Sequence, residues 1–146
     1  MTDDEFDQAA EGIRRKYAAL VPPNMPFEVE GGWLPLIDEG LGKMEDFLGA
    51  EGWLGVITVR QIKEKFGALR VYARPDHHSD WPDNVAEGIM RIRGEILARS
   101  AHICEMCGRP GEIRVIQHYH QCLCEEHAAK RQQWADAGWP DVDWRT

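Results

Sequence analysis

No apolar run in this chain approaches the ~20 residues that a membrane-spanning helix requires. Its start, Met1-Thr-Asp-Asp-Glu, is acidic, whereas a secretory leader needs a basic start and an apolar stretch. The expectation is a cytoplasmic protein with no membrane partner. Catalytic signatures are missing as well. There is no nucleophile elbow, no Walker loop, no G-x-G-x-x-G and no H-E-x-x-H helix. Carboxylates are numerous but scattered, so no acid/base pair can be named. Cysteine is scarce, at four residues, and in a reducing compartment such cysteines read as metal ligands before disulfides.

What is present fits one globular domain, or one domain with a small appended module. The net charge of −8 is unevenly spread: residues 1–52 carry 12 acidic and 4 basic side chains, residues 53–133 carry 10 and 12. Overall acidity argues against general nucleic-acid affinity, which depends on neutralising phosphates. It leaves room for a local basic face.

Phe6, Ala9, Ala10, Ile13, Tyr17 and Leu20 recur at helical spacing and predict a first amphipathic helix, ended by Val21-Pro-Pro. Leu34, Ile37, Leu41, Met44 and Leu48 predict a second, with Pro35 in its first turn. Gly40 and Gly42 weaken that helix and point to close packing against a neighbour. Residues 56–73 read as a β-hairpin with Ile57, Val59, Leu69 and Val71 facing the core. Its turn falls near Glu64-Lys-Phe-Gly67, and Ile62 breaks the alternation, which suggests a bulge. Val85, Ile89, Ile92 and Ile96 mark a third helix running to about Ser100. The expected class is α+β, with helices packed on a small antiparallel hairpin sheet and a treble-clef-like zinc module at the C-terminal end. The expected segments are an α+β core over 1–100, a zinc-binding module over 101–133 and a Trp-rich acidic tail over 134–146.

The strongest signal is chemical. Cys104-Glu-Met-Cys107 is followed by Gly108, and sixteen residues separate Cys107 from Cys124-Glu-Glu-His127. A C-x₂-C loop bends so that both sulfurs converge on one ion, and C-x₂-H at a helix start supplies two more ligands. Residues 112–115 and 119–123 form the hairpin between the pairs. Cys104, Cys107, Cys124 and His127 thus predict one structural Zn²⁺, a closed set leaving no position for a catalytic water. Cys122 shares the parity of Cys124 and could replace Cys124 or His127. The preferred set keeps His127 and leaves Cys122 as a packed thiol.

Other residues carry weaker signals. Arg60, Lys63, Lys65, Arg70, Tyr72 and Arg74 make a basic face with an aromatic, able to meet nucleic acid or a partner. A solvated or internally neutralised hairpin face is the favoured alternative. His118 and His120 loosely resemble the general-base position of HNH-type nucleases, but no Asn lies between Cys104 and Thr146 and no His follows His127. His77 and His78 read as polar loop residues. Trp134, Trp139 and Trp144 recur every five residues, neither a helical nor a strand period, and suggest an extended arm of partner anchors or self-packing aromatics.

Three stretches carry a family resemblance: Gly32-Trp-Leu-Pro-Leu36, Gln61-Ile-Lys-Glu-Lys-Phe-Gly67-Ala-Leu-Arg70, and Ile103-Cys-Glu-Met-Cys-Gly108 with Leu123-Cys-Glu-Glu-His127. Over most of residues 32–129 the chain resembles small uncharacterised bacterial and phage proteins with a Q-I-K-E-K-F-G-x-L-R hairpin and a C-terminal zinc knuckle. In the resembled proteins the position of Cys122 is not cysteine, which implies the four ligands preferred above. The resemblance brings no activity with it.

The functional expectation is a non-enzymatic binding module acting on a partner protein, as an inhibitor or an immunity or counter-defence protein does. An acidic first half suits a partner with a basic cleft. The alternatives are a nucleic-acid-binding protein using the hairpin face and a degenerate HNH-like nuclease.

Overall fold

The computed structural model describes residues 1–76 and 80–145. Helix α1 (Asp3–Lys16) starts at a reciprocal cap: the Thr2 hydroxyl accepts from the Glu5 amide at 3.1 Å, and the Glu5 carboxylate reaches back to Thr2. It buries Ala10 and Ile13, and Tyr17 and Leu20 complete the stripe in the turn beyond. Helix α2 (Leu34–Glu51) admits Pro35 in its first turn and leaves through Gly52 at φ +76°. At Gly40 a Cβ would stand 2.5 Å from Ile96 Cδ1 on α3 (Asp83–Ser100), so this glycine lets the two helices close on each other.

The expected hairpin forms from β2 (Ile57–Lys65) and β3 (Ala68–Pro75). Phe66 and Gly67 take φ of +54° and +84° at its turn. The register shifts between Val59 and Gln61, which returns Ile62 to the buried face, where it is 1% exposed. One strand was not legible in the sequence. Phe27–Glu28 forms β1 and pairs in parallel with β2 at Ile62 and Lys63. The sheet is therefore mixed, in the order β1-β2-β3, and not purely antiparallel as expected. A two-residue strand shows no periodicity, and only its partner reveals it. Helix α3 lies against β3 and α2.

Beyond α3 come β4 (Glu112–Ile116) and β5 (Tyr119–Leu123), an antiparallel pair turning at Gln117-His118, and then α4 (Glu125–Asp136). The main core gathers side chains from α1, α2, β2, β3 and α3, and includes Cys122 of β5. A second, smaller cluster contains Cys104, Ile116, Leu123, Cys124, Ala128 and Ala135. The C-terminal module thus has its own small core, while one strand of it plugs into the larger one. No helix among the described residues is long and apolar enough to cross a membrane.

Candidate metal centre

Cys104, Cys107, Cys124 and His127 converge. One ligand atom from each lies within 4.8 Å of all the others, the only such group of three or more potential ligands among the described residues. The separations suit one tetrahedral ion. Zn–S bonds of ~2.3 Å put ligand atoms about 3.8 Å apart along a tetrahedron edge. Cys107 Sγ and Cys124 Sγ are 3.8 Å apart, and Cys104 Sγ lies 3.8 Å from His127 Nδ1. Cys124 Sγ is 3.3 Å from the same nitrogen.

Local structure sets each ligand. The Gly108 amide donates to the Cys104 carbonyl at 2.9 Å, closing the knuckle, and Gly108 follows at φ +79°. Cys124 is the N-cap of α4, and its sulfur accepts from the His127 amide at 3.4 Å. Arg109 donates to Cys107 Sγ at 3.3 Å and to Cys124 Sγ at 3.6 Å, and pairs with Glu126 at 2.6 Å. Three thiolates around a divalent ion carry one net negative charge, which this guanidinium offsets.

Burial pushes the Cys104 thiol up to about 11. At Cys107 burial also raises the thiol, but the Arg109 guanidinium and neighbouring groups outweigh it, and the net shift is downward. Ligation requires the deprotonated forms, so ion binding here releases protons. Burial lowers the pKa of His127, which favours the neutral imidazole that a metal needs. Cys122 stands apart. It is fully buried in the main core, lies outside the ligand group, and burial raises its thiol to about 11.

Several residues that build the site had no individual role in the sequence reading. The Gly32 amide donates to the Glu105 carbonyl at 2.7 Å, and a Cβ at Gly32 would collide with the main chain of Cys104, Glu105 and Gly108. Trp33, fully buried, donates its indole N–H to the Ile103 carbonyl at 2.9 Å. A glycine pair ahead of a tryptophan is the one local sign of such a close approach. Glu105, between the knuckle cysteines, is 3% exposed. It accepts from the Glu30 amide at 3.1 Å and from Gln121 Nε2 at 3.1 Å, and Gln121 in turn accepts from Arg131 at 2.9 Å. Burial, with Glu64 and Glu30 adding to it, raises the Glu105 carboxyl to about 7.

His118 is exposed in the β4–β5 turn, and His120 meets the Phe66 ring edge-on at 5.9 Å. Neither joins a second group of potential metal ligands among the described residues. His77 and His78 lie outside the described residues. The extended arm expected over 134–146 does not form: Trp134 belongs to α4, and positive φ at Gly138 and Trp139 turns the chain back. Trp139 and Trp144 then pack on Trp134, at ring separations of 4.7 and 6.3 Å, and Trp134 Nε1 donates to the Pro140 carbonyl. As partner anchors they are largely occupied by one another.

The basic face changes membership. Arg60 bonds to the Pro75 carbonyl and pairs with Asp76 at 3.3 Å. Lys65 sits at the hairpin tip over the Phe66 ring. Lys63, Arg70 and Tyr72 remain together, and Arg93 joins them from α3, its guanidinium 4.5 Å from the centre of the Tyr72 ring. Arg74 stays exposed. Comparison with protein-family models, with curated proteins and with solved structures finds no match.

Proposed function

We propose that Cys104, Cys107, Cys124 and His127 hold one structural zinc ion in a treble-clef-like module, and that the chain is a non-enzymatic protein-binding module of the cytoplasm. The observation that carries this is the closed ligand set. Four soft or borderline donors stand close enough to share one ion, beside Arg109, and no fifth His, Cys, Asp or Glu joins their group among the described residues. Such an ion stabilises a fold and activates no water. The knuckle-hairpin-helix order supports the treble-clef reading. Membership of the small bacterial and phage proteins with the Q-I-K-E-K-F-G-x-L-R hairpin is part of the same proposal. So is an inhibitory, immunity or counter-defence role, for which the acidic first half suits a basic cleft on the partner.

Elemental analysis of protein purified without chelator tests the metal. One zinc per chain is expected, with sulfur and nitrogen neighbours in the X-ray absorption spectrum. Zinc well below one equivalent, or a site with exchangeable water, refutes the reading. Cross-linked capture from the native host tests the partner: a protein retained stoichiometrically is expected, and a nucleic acid retained in its place refutes it.

A nucleic-acid role is the second reading, favoured by the cations on the hairpin face. It requires binding that weakens steeply with added salt.

A further inference from the structure

The cations of this acidic chain are not evenly matched. Most of its lysines and arginines form ion pairs within the fold, such as Lys16 with Asp38, Arg99 with Glu39 and Arg145 with Glu30. Among the described residues seven form none: Lys63, Lys65, Arg70, Arg74, Arg91 and Arg93 on β2, β3 and α3, and Arg131 on α4. Arg70 Nε is buried and meets no acceptor among those residues. Arg93 is held by the Tyr72 ring, and its burial, and then Arg74 and Arg70 beside it, disfavour its charge.

Arg70 and Arg93 border a groove of about 170 Å³ between β3 and α3, with Leu69, Val71, Met90 and Leu97 as its apolar walls. Met90 is 63% exposed there. Gly94 also lines the groove, and a Cβ on it would meet nothing within 4 Å.

Strand β3 is the outer strand of its sheet, but its edge is closed: the Leu69 amide donates to Ser100 Oγ at 2.8 Å, and Leu69, Val71 and Ala73 are 0%, 2% and 1% exposed. What the surface offers there is side chains. An apolar slot and unmatched guanidinium groups in one place fit a peptide segment that carries carboxylates beside an aliphatic side chain.

We propose that this groove binds an acidic segment of a partner protein, which seats one aliphatic side chain between Met90 and Leu97 and offers carboxylates to Arg70 and Arg93. The proposal rests on the protein-binding reading and adds to the acidic half of the chain a second surface of opposite sign. A protein segment is favoured over nucleic acid because the slot is apolar and the chain as a whole repels a polyanion of high charge density.

The test uses the full zinc-loaded chain and a short synthetic peptide alternating glutamate and valine, with binding read by fluorescence anisotropy. Saturable binding is expected. The Arg93→Ala variant should weaken it about tenfold, the loss of one charge-assisted contact, and the glutamine-valine counterpart, which loses the contacts to both arginines, should weaken it further. Gly94→Leu fills the slot from the open side of α3 and should abolish binding, while Gly94→Ala controls for folding and retains it. No saturable binding by the wild-type chain, or equal binding by Gly94→Leu, overturns the proposal. Tighter binding of a thymidine oligonucleotide that Arg93→Ala and Gly94→Leu both remove overturns it in favour of nucleic acid. Host capture separates the failures. A partner held equally by wild type and Gly94→Leu leaves the protein-binding reading standing and removes the groove, whereas no partner with either removes both.

Discussion

Gly32→Ala tests whether the N-terminal half seats on the metal knuckle. A Cβ at this position has no flexible neighbour to displace. It meets the Glu105 carbonyl oxygen at 2.5 Å, the Gly108 nitrogen at 2.6 Å and the Cys104 carbonyl oxygen closer still. The knuckle backbone is fixed by its ligands, so the relief must come from separation. Separation sacrifices the Gly32 to Glu105 bond and strains the Trp33 bond to Ile103 and the Glu30 bond to the Glu105 carboxylate. Overpacking alone costs about 1–3 kcal/mol, and each lost hydrogen bond about 1 kcal/mol. A destabilisation of roughly 3 kcal/mol is expected, a large part of a typical domain's stability. Urea unfolding of the zinc-loaded protein, followed by tryptophan fluorescence, measures it. Gly12→Ala is the control: that helical position is open, and alanine there should stabilise by about 0.5–1 kcal/mol. If Gly32→Ala unfolds within about 0.5 kcal/mol of wild type, the seating of residues 30–33 on the knuckle is wrong.

Cys122→Ser should keep full zinc content and lose stability through a buried hydroxyl, by about 1–3 kcal/mol, whereas Cys124→Ser should lose the ion; the reverse pattern in elemental analysis would exchange their roles. Arg109→Ala should release zinc to a colorimetric chelator about tenfold faster, because the thiolates lose their charge-assisted donor; an unchanged rate would leave Arg109 a bystander. Glu105 has a folded pKa of about 7 against an ordinary 4.5, so the folded chain holds this proton while the unfolded chain loses it. Its contribution therefore declines as pH rises from about 4.5 to about 7 and is level above that. Wild type should lose up to about 3 kcal/mol relative to Glu105→Gln across that window, and parallel stability curves for the two proteins would refute the burial argument.

The legible parts of this molecule were those encoded over a few residues. The ligand set follows from two C-x₂ spacings, and the helices follow from stripes such as Leu34, Ile37, Leu41 and Met44. Ile62, one residue out of phase, revealed the bulge in β2. What stayed hidden depends on residues far apart in the chain. Nothing beside Arg93 in sequence shows that it stacks on Tyr72, and nothing beside Arg60 shows that Asp76 removes it from the basic face. Glu105 reads as a solvated acid between two cysteines until Gln121, Arg131 and the Glu30 amide enclose it. The five-residue tryptophan spacing suggested an extended arm because local periodicity does not register the reversal at Gly138 and Trp139.

The same long-range contacts decide how far the influence of a structural ion reaches. Ligation by Cys104 would fix the backbone of Ile103 and Glu105, whose carbonyls receive Trp33 and Gly32 at the entrance to α2. The Glu105 amide donates to the Cys122 carbonyl at 2.9 Å, and the Cys122 side chain is packed in the main core. Ser100 precedes the knuckle by four residues and caps the β3 edge at Leu69, while the Ile103 amide donates to the Ser100 carbonyl at 3.2 Å. An ion held in this knuckle would therefore stabilise more than the hairpin and helix that supply its ligands. It would anchor the end of α3, and so the spacing between α3 and β3 that shapes the proposed peptide groove. An ion that takes no part in chemistry can in this way control binding at a site where it makes no contact. Its apparent folding contribution, about 10–16 kcal/mol in small zinc modules, is large enough to make that control matter.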